Sequence, residues 1–209
     1  MRKKYPRTYH LPWSSGKTAD DKVLKNTSHF HGEEVIVTEK MDGENTTIYQ
    51  DYIHARSIDS KDHPSRHWVK MLQANIGYQI PEKWRICGEN LFATHSIHYS
   101  SLQSYFCVFS IWNEKNECLS WDETVEWCAL LQLQTVPVLY QGIYDEDKIQ
   151  SCYTKTSLYG GEQEGYVVRK ASSFHYDNFK NSVAKFVRKN HVQTDEHWMN
   201  KSITPNGIV

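Results

Sequence analysis

The sequence predicts an α+β fold in which helices pack outside antiparallel β-sheets. Three observations support this fold class. Short segments rich in β-branched and aromatic residues recur from Glu34 onward, which is typical of strands. Only two segments carry apolar residues at clear helical spacing. No internal repeat, low-complexity tract or obvious linker divides the 209 residues, a length that suits one domain.

The elements follow one another in a simple order. Residues 1–33 are polar and rich in turn formers, so we expect an N-terminal arm with a short helix near Asp20–Lys25. Residues 34–209 are expected to form the main domain. The predicted helices are Ser65–Asn75 and Trp121–Leu131, and Asp122 is the expected N-cap of the second. The predicted strands are Val35–Thr38, Asn45–Tyr49, Tyr52–Ala55, Trp84–Glu89, Tyr105–Trp112, Gly165–Arg169 and Lys180–Val187.

The composition excludes several classes of protein. With 39% hydrophobic and 13% aromatic residues, the chain can bury a real core and is not intrinsically disordered. A formal net charge of −1 excludes a globally basic nucleic-acid coat. The five cysteines show no C-x-x-C spacing, and the first residues lack a hydrophobic signal core. We therefore expect reduced thiols, a cytoplasmic location and no membrane association.

The tetrapeptide Lys40-Met41-Asp42-Gly43 directly follows the first buried strand and is the strongest candidate for a reactive site. A lysine is a nucleophile only when burial or a nearby positive charge lowers its pKa from about 10.4. A glycine allows a sharp turn and the close approach of a ligand. The alternative is an ordinary hairpin, since Asp-Gly between two strands is a common turn signal.

Further motifs follow the tetrapeptide, and together they resemble the covalent nucleotidyltransferases, which include RNA ligases, DNA ligases and mRNA-capping enzymes. In that family Lys-x-Asp-Gly is the first signature, and an arginine, two glutamates, an aromatic strand and a lysine-bearing strand come after it. The corresponding motifs here are His54-Ala55-Arg56-Ser57, Gly88-Glu89-Asn90, Phe106–Ile111, Glu164-Gly165-Tyr166 and Ser182–Lys189.

The resemblance implies a role for each of these residues. Lys40 would attack the α-phosphate of ATP, and Lys185 would contact the same phosphate. Strand alternation places Lys185 and Val187 on one face. The family often has Lys-x-Lys in this motif, but this chain has Val187 at the second position, so the resemblance leaves the second cation as either Arg188 or Lys189. The other implied nucleotide contacts are Glu39 to the adenine amino group, Arg56 to the ribose or the incoming 5′-phosphate, Glu89 to the ribose hydroxyl, Phe109 to the base, and Lys189.

The resemblance also implies a fold and an activity. The fold is the nucleotidyltransferase domain, an ATP-grasp-like ligase adenylation domain with antiparallel sheets flanked by helices. The stretch Asn190–Asp195 resembles the RNA-ligase branch. Only about 20 residues follow Lys189, too few for a C-terminal OB domain. The implied activity is that of an ATP-dependent RNA ligase, which joins 3′-hydroxyl and 5′-phosphate ends through lysyl-AMP and an adenylylated strand.

Cofactor and partner follow from the same residues. Asp42, Glu89 and Glu164 are an oxygen-ligand set suited to Mg²⁺ or Mn²⁺. Between Arg169 and Lys189 there are six Lys/Arg residues and one acid, a local positive excess that predicts a phosphate-binding patch. The expected partner is RNA, or mixed RNA/DNA ends, in a nicked duplex, and no protein partner is identified. The residues expected to contact nucleic acid are Arg56, Arg169, Lys170 and Arg188.

Other interpretations stay open at this point. A DNA-joining ligase and a GTP-using guanylyltransferase share the superfamily, and a non-catalytic nucleic-acid-binding module could share the fold. Ser14-Ser15-Gly16-Lys17-Thr18 resembles the end of a phosphate loop, but no apolar strand precedes it. Zinc binding is disfavoured because no tight set with cysteine at finger spacing includes the candidate histidines His63, His67, His95, His98 and His175.

Overall fold

Two β-sheets and three α-helices form the framework of the computed structural model, which describes residues 2–191 and 202–209. Of the stretch 190–195, residues 192–195 therefore lie outside the described part. The helices are α1 (His67–Ile76), α2 (Trp121–Leu130) and α3 (Glu146–Ser151). The strands are β1 (Tyr9–His10), β2 (Glu34–Glu39), β3 (Glu44–Ile48), β4 (Ile53–Ala55), β5 (Arg85–Asn90), β6 (Phe106–Trp112), β7 (Glu117–Cys118), β8 (Gln134–Thr135), β9 (Val138–Ile143), β10 (Gly165–Lys170), β11 (Phe174–His175) and β12 (Val183–Val187).

The strands divide between a five-stranded and a seven-stranded sheet. The first has the order β1-β12-β10-β2-β9, and the second runs β11-β7-β6-β5-β3-β4 with β8 beside β6. Among the described strands, neighbours pair antiparallel except β1 with β12 and β6 with β8. This mixed, mostly antiparallel architecture with few helices confirms the predicted α+β class.

The core explains why β2 is almost wholly apolar. Val35 and Val37 pack on one face against α3 and the N-terminal segment, whereas Ile36 points to the other face. There Ile36 meets Met41 and Leu91 in the layer between the two sheets. A strand covered on both faces needs consecutive apolar residues, which is the pattern that Val35-Ile36-Val37 carries. Helices α1 and α2 cover the far face of the seven-stranded sheet.

Several boundaries differ from the sequence-based expectations. The N-cap of α2 is Ser120 rather than Asp122, because Ser120 forms a reciprocal capping box with Glu123. The strand expected over residues 180–187 begins only at Val183, since Tyr176–Asn181 forms a 3₁₀ helix. β9 and α3 have no counterpart among the predicted elements, and a further 3₁₀ turn, Pro64–Arg66, precedes α1.

The N-terminal segment is integrated into the sheet. Its β1 extends the five-stranded sheet, and Leu11, Leu24 and Phe30 are buried in the same core as Val35. The helix expected near residues 20–25 does not form. Instead, the backbone of Lys22 and Leu24 hydrogen-bonds to the backbone of His10. The phosphate-loop interpretation also fails. Residues 14–18 lie against the end of β12, and no helix follows them.

The hairpin interpretation of residues 40–43 is wrong. β2 belongs to the five-stranded sheet and β3 to the seven-stranded sheet, so the tetrapeptide crosses between sheets instead of reversing one strand.

No helix in the described part of the chain is long and apolar enough to span a membrane.

A buried ion pair ties this crossing to helix α1. The Arg66 guanidinium donates to both carboxylate oxygens of Glu44, from Nε at 2.6 Å and from Nη2 at 2.5 Å. The side chains are only 6% and 10% exposed, so neither charge is well hydrated if its partner is removed. This pair fixes the start of β3 immediately after Gly43.

Replacing Arg66 with Ala should therefore destabilise the fold strongly, by about 3–5 kcal/mol, because Glu44 becomes a buried and unpaired charge. Chemical denaturation followed by circular dichroism measures this change. Lys70→Ala, on the adjoining helix α1, is the control, because its ion pair with Asp62 is solvent-exposed and should contribute less than about 1 kcal/mol. Equal losses in the two variants would contradict the assignment of a structural role to the Glu44–Arg66 pair.

Candidate active site

A cavity of about 660 Å³ opens between the two sheets. Side chains from both sheets and from the N-terminal segment line it, and the crossing segment after β2 forms part of its wall. Seven of the residues singled out in the sequence meet there, namely Glu39, Lys40, Arg56, Glu89, Phe109, Arg169 and Lys185.

Lys40 directly follows β2, where its backbone N–H donates to the Gly165 carbonyl at 3.0 Å. Its Nζ lies 2.6 Å from Glu164 Oε1. Burial lowers the pKa of Lys40, but the carboxylates of Glu164, Glu89 and Asp42 outweigh burial, and the net pKa is raised. With only protein groups around it, Lys40 is therefore an ammonium ion, contrary to the expectation of a lowered pKa.

Asp42 is held by the loop that follows β5. Its Oδ2 accepts hydrogen bonds from the backbone N–H groups of Ser96 and Ile97, both at 2.8 Å. Its own backbone N–H donates to the Tyr99 hydroxyl at 2.8 Å. Burial raises the pKa of Asp42, but hydrogen bonding and charge from His191 and Lys40 leave it below the ordinary value. Asp42 is thus a fixed carboxylate beside Lys40.

Glu89 approaches the same point from β5. Its Oε1 accepts a hydrogen bond from the Gly43 N–H at 3.2 Å. Burial raises the pKa of Glu89 to about 8, with Lys40 opposing the shift and Glu164 and Asp42 adding to it. A Cβ atom at position 43 would lie 2.5 Å from the Asn90 carbonyl oxygen. The glycine is therefore required for close approach to β5, and its φ is not in the left-handed region.

A group of potential metal ligands lies next to Lys40. Among the described residues one such group was found, in which oxygens of Asp42 and Glu164 and a nitrogen of His191 lie within 4.8 Å of one another. The second oxygen of Glu164, Oε2, is buried with no hydrogen-bond partner in the described part of the chain. The donor types and the orphaned oxygen fit a divalent cation. Glu89, expected in the ligand set, is not in this group, and neither are the five histidines considered for zinc.

The cavity lining also suits a planar, apolar ligand with a few polar atoms. Phe109 is half-buried there, and the Tyr5 ring stands edge-on to it at 5.1 Å. Glu39 is buried; its Oε2 accepts from the Leu158 N–H at 3.2 Å, while its Oε1 has no hydrogen-bond partner among the described residues. Burial raises the pKa of Glu39. A buried acceptor of this kind favours a ligand that brings an N–H donor.

Two cations complete the cavity. Lys185 lies on β12, opposite Val167 of β10 and His10 of β1. Burial, together with the neighbouring Lys40 ammonium, lowers the pKa of Lys185 to about 8. Arg56 follows β4 and is exposed at the rim of the cavity.

The expected surface patch of basic residues is not formed. Arg169 is buried, and its Nη2 donates to the Leu119 carbonyl at 2.8 Å. A nucleic-acid strand on the protein surface therefore cannot reach it. Lys170 pairs with Glu33 at 2.8 Å, and Arg188 pairs with Glu162 at 2.5 Å. Lys189 is exposed. Of the six cations in this stretch, two are thus paired and one is buried, which leaves Lys180, Lys185 and Lys189.

His191 and Tyr5 are the two site residues that the sequence-based search did not select. His191 lies in a stretch with a family resemblance, but no spacing rule links it to Asp42 across 149 positions of the chain. Tyr5 lies in a polar segment with no local signal for a cavity-lining role. Both positions depend on strand order in the folded sheet.

Comparison with known proteins gives a consistent result. A family model described as RNA ligase matches residues 33–187. A search of the curated proteins found no match.

Solved structures of RNA ligases share the fold at low identity. A Naegleria gruberi RNA ligase mutant with ATP and Mn is 18% identical, with a TM-score of 0.54 over 78% of this chain and 52% of that chain. Another mutant of that ligase, with AMP and Mn, is 16% identical, with a TM-score of 0.55 over 87% and 60%. An archaeal ATP-dependent RNA ligase is 17% identical, with a TM-score of 0.58 over 90% and 48%.

The chain spans roughly half to three fifths of the length of these solved structures. At such identities the structural likeness shows the fold alone. The family model, in contrast, matches well over half of the 209 residues, from just before β2 to the end of β12. It therefore includes Lys40, Glu89, Glu164 and Lys185. The chain belongs to the RNA ligase family.

Proposed function

We propose that this protein is an ATP-dependent RNA ligase, and that residues 34–209 form its nucleotidyltransferase domain with residues 1–33 as an N-terminal extension. The observation that carries the proposal is the position of Lys40. It lies at the wall of a nucleotide-sized cavity, between a carboxylate cluster and Lys185. This arrangement combines a nucleophile, a cation for the phosphate and oxygen donors for a metal at one point.

The part of the cavity lined by Phe109 and Glu39 is the proposed adenosine site. Phe109 offers a ring face for stacking, and such stacking on a base contributes about 1–3 kcal/mol. The unpartnered Oε1 of Glu39 accepts from the adenine amino group, which distinguishes adenine from guanine. Glu89 accepts from the ribose hydroxyl or from metal-bound water. This recognition favours ATP over GTP and counts against a guanylyltransferase.

Three steps follow from the chemistry of Lys40. In the first, Lys40 loses a proton and its lone pair attacks the α-phosphorus of ATP, so that a P–N bond forms and pyrophosphate leaves. Glu164 Oε1, at 2.6 Å, is the nearest proton acceptor. In the second, a 5′-phosphate oxygen attacks the same phosphorus, and the Lys40 amine leaves. In the third, a 3′-hydroxyl attacks the adenylylated end, a phosphodiester forms and AMP leaves.

The divalent cation, Mg²⁺ or Mn²⁺, would be held by Asp42, Glu164 and His191, with Glu89 close by, and would supply charge neutralisation at the phosphates. Lys185 orients the α-phosphate from β12. Its burial strengthens this interaction, because the effective dielectric constant is lower than in bulk water. A cation held there would also favour the neutral amine of Lys40 by like-charge repulsion.

The proposed nucleic-acid partner is an RNA end, with a nicked duplex as the preferred substrate. Arg56 and Arg7 are both exposed in the lining of the cavity, and Arg7 pairs with Asp21, so Arg56 is the proposed contact for the 5′-phosphate. The exposed Lys189 is the proposed second cation after β12, since Arg188 is paired with Glu162. A non-catalytic binding module would not need a buried lysine–carboxylate cluster, which costs stability without a ligand.

Incubation with radiolabelled ATP should label the protein covalently, whereas equally labelled GTP should not, because guanine presents a carbonyl oxygen at the position where adenine presents the 6-amino group that donates to Glu39. NAD labelled in its adenylate part provides a third donor. Lys40→Ala should abolish the label, since no other amine lies at that position. Lys148→Ala, at an exposed lysine on α3, is the control and should be labelled normally. An adduct that forms only with GTP, or that persists in Lys40→Ala, would contradict the proposal.

The affinity for ATP should decline as pH rises from about 7 to 9. The pKa of Lys185 is about 8, so its ammonium is present below that pH and lost above it. Lys185→Arg keeps its charge throughout and should show a flatter profile. Equilibrium binding of an ATP analogue with a methylene bridge between the α- and β-phosphates measures this without turnover. Parallel profiles for the two proteins would exclude Lys185 as the titrating group.

Sealing should be fastest on a nicked RNA duplex, compared with single-stranded RNA ends and with a nicked DNA duplex. The reason is that a duplex holds both ends at the single rim marked by Arg56. A denaturing gel of the three labelled substrates measures the rates. Arg56→Ala should slow sealing more than it slows covalent labelling by ATP. Preferential sealing of nicked DNA would identify a DNA-joining enzyme instead.

A further inference from the structure

We infer that His191 supplies a nitrogen ligand to the divalent cation, which makes a mixed oxygen–nitrogen site with a preference for Mn²⁺ over Mg²⁺. The inference rests on the proposed function only in assuming that a cation binds beside Lys40. It concerns a residue outside the lysine, arginine and glutamate motifs of the sequence.

Strand order brings the three donors together. β2, β10 and β12 are adjacent in the five-stranded sheet, and β10 runs antiparallel to both of its neighbours. The end of β2, the start of β10 and the end of β12 therefore lie side by side. Asp42 follows β2, Glu164 directly precedes β10, and His191 follows β12. Each donor thus comes from a different strand at the same edge of the sheet.

The distances suit ligation of one ion. His191 Nε2 lies 3.3 Å from Asp42 Oδ1 and 3.4 Å from Glu164 Oε1. The His191 side chain is 9% exposed, and those of Asp42 and Glu164 are 11% and 6% exposed. Ligand atoms around one octahedral ion lie about 3 Å apart when metal–ligand distances are close to 2.1 Å. Small side-chain adjustments would place an ion among the three atoms.

The remaining atoms of these residues are committed elsewhere or lack a partner. Asp42 Oδ2 accepts hydrogen bonds from two backbone N–H groups, and this orients Oδ1 towards His191 Nε2. Glu164 Oε2 is buried without a hydrogen-bond partner in the described part of the chain. Lys40 Nζ lies 2.6 Å from Glu164 Oε1, so a cation bound here would compete with the lysine for that oxygen.

The nature of the donor decides which cation is preferred. Mg²⁺ binds oxygen and keeps several waters, so an imidazole nitrogen adds little to its affinity. Mn²⁺ also favours carboxylates, but as a first-row transition-metal ion it accepts a nitrogen donor more readily than the hard Mg²⁺ ion does. Replacing one carboxylate of the set by an imidazole therefore shifts the preference towards Mn²⁺.

The competing explanation is that His191 only donates a hydrogen bond to the two carboxylates and keeps them in place. In that case an amide side chain could replace it, and both ions would be affected alike. His191→Asn therefore separates the two roles, because asparagine keeps an N–H donor and lacks the imidazole nitrogen.

The test is a Mn²⁺ titration of the full chain without ATP, in which the electron paramagnetic resonance signal reports free Mn²⁺. Mg²⁺ affinity follows from competition in the same samples. His191→Ala and His191→Asn should each weaken Mn²⁺ binding about tenfold or more, and should change Mg²⁺ binding by less than about threefold. His67→Ala, at an exposed histidine at the start of α1, should bind both ions as the wild type does.

Retention of Mn²⁺ affinity in His191→Asn, or equal losses for the two ions, would overturn the inference. Circular dichroism of each variant checks that the fold is kept. Covalent labelling by ATP, measured separately, distinguishes the two proposals. A wild-type chain that binds Mn²⁺ through His191 but never forms the adduct refutes the ligase function alone. A labelled chain whose Mn²⁺ affinity ignores His191 refutes this inference alone.

Discussion

The antiparallel pairing of β2 with β10 is the constraint on which the candidate site depends. It sets Lys40 against Gly165 and so brings the lysine amine within 2.6 Å of Glu164. A slip of one residue would turn every side chain of β2 to the opposite face and remove Lys40 from the cavity. Val35, Ile36 and Val37 are fully buried in the cores on the two faces of β2. The geometry of the candidate site thus depends on core packing.

The carboxylates of the candidate site repel one another, so the fold must hold them together at a cost in stability. Asp42, Glu89 and Glu164 are gathered around one lysine, and their mutual repulsion contributes to the raised pKa of Glu89. Backbone amides of Ser96 and Ile97 offset part of this cost at Asp42. A cluster with more negative than positive groups is poorly satisfied by protein alone, and a divalent cation and a lysine compete for it. This imbalance gives the metal its place in the proposed chemistry.

Local patterns in the sequence predict most of the longer strands, both long helices and several residues that line the cavity, because each of these depends on neighbours in the chain. Lys40, Glu89, Phe109 and Lys185 each follow or occupy a strand whose apolar pattern is visible. The basic patch could not be judged in this way, since Lys170 is paired with the distant Glu33. The capping of α2 by Ser120 and the contact between His191 and Asp42 also depend on side-chain geometry. Residue spacing in the sequence does not predict that geometry.

The pairing of β1 with β12 has a consequence for how the protein is made. Tyr9 and Ala184 are neighbours in the sheet, so β1 can pair only after β12, far along the chain, has been synthesised. Such long-range contacts slow folding, and during translation the apolar Leu11, Leu24 and Phe30 wait for most of the chain before their core closes. Lys185 reaches the cavity in the same late event. The candidate site is therefore complete only when β1 and β12, which lie far apart in the chain, have met in the sheet.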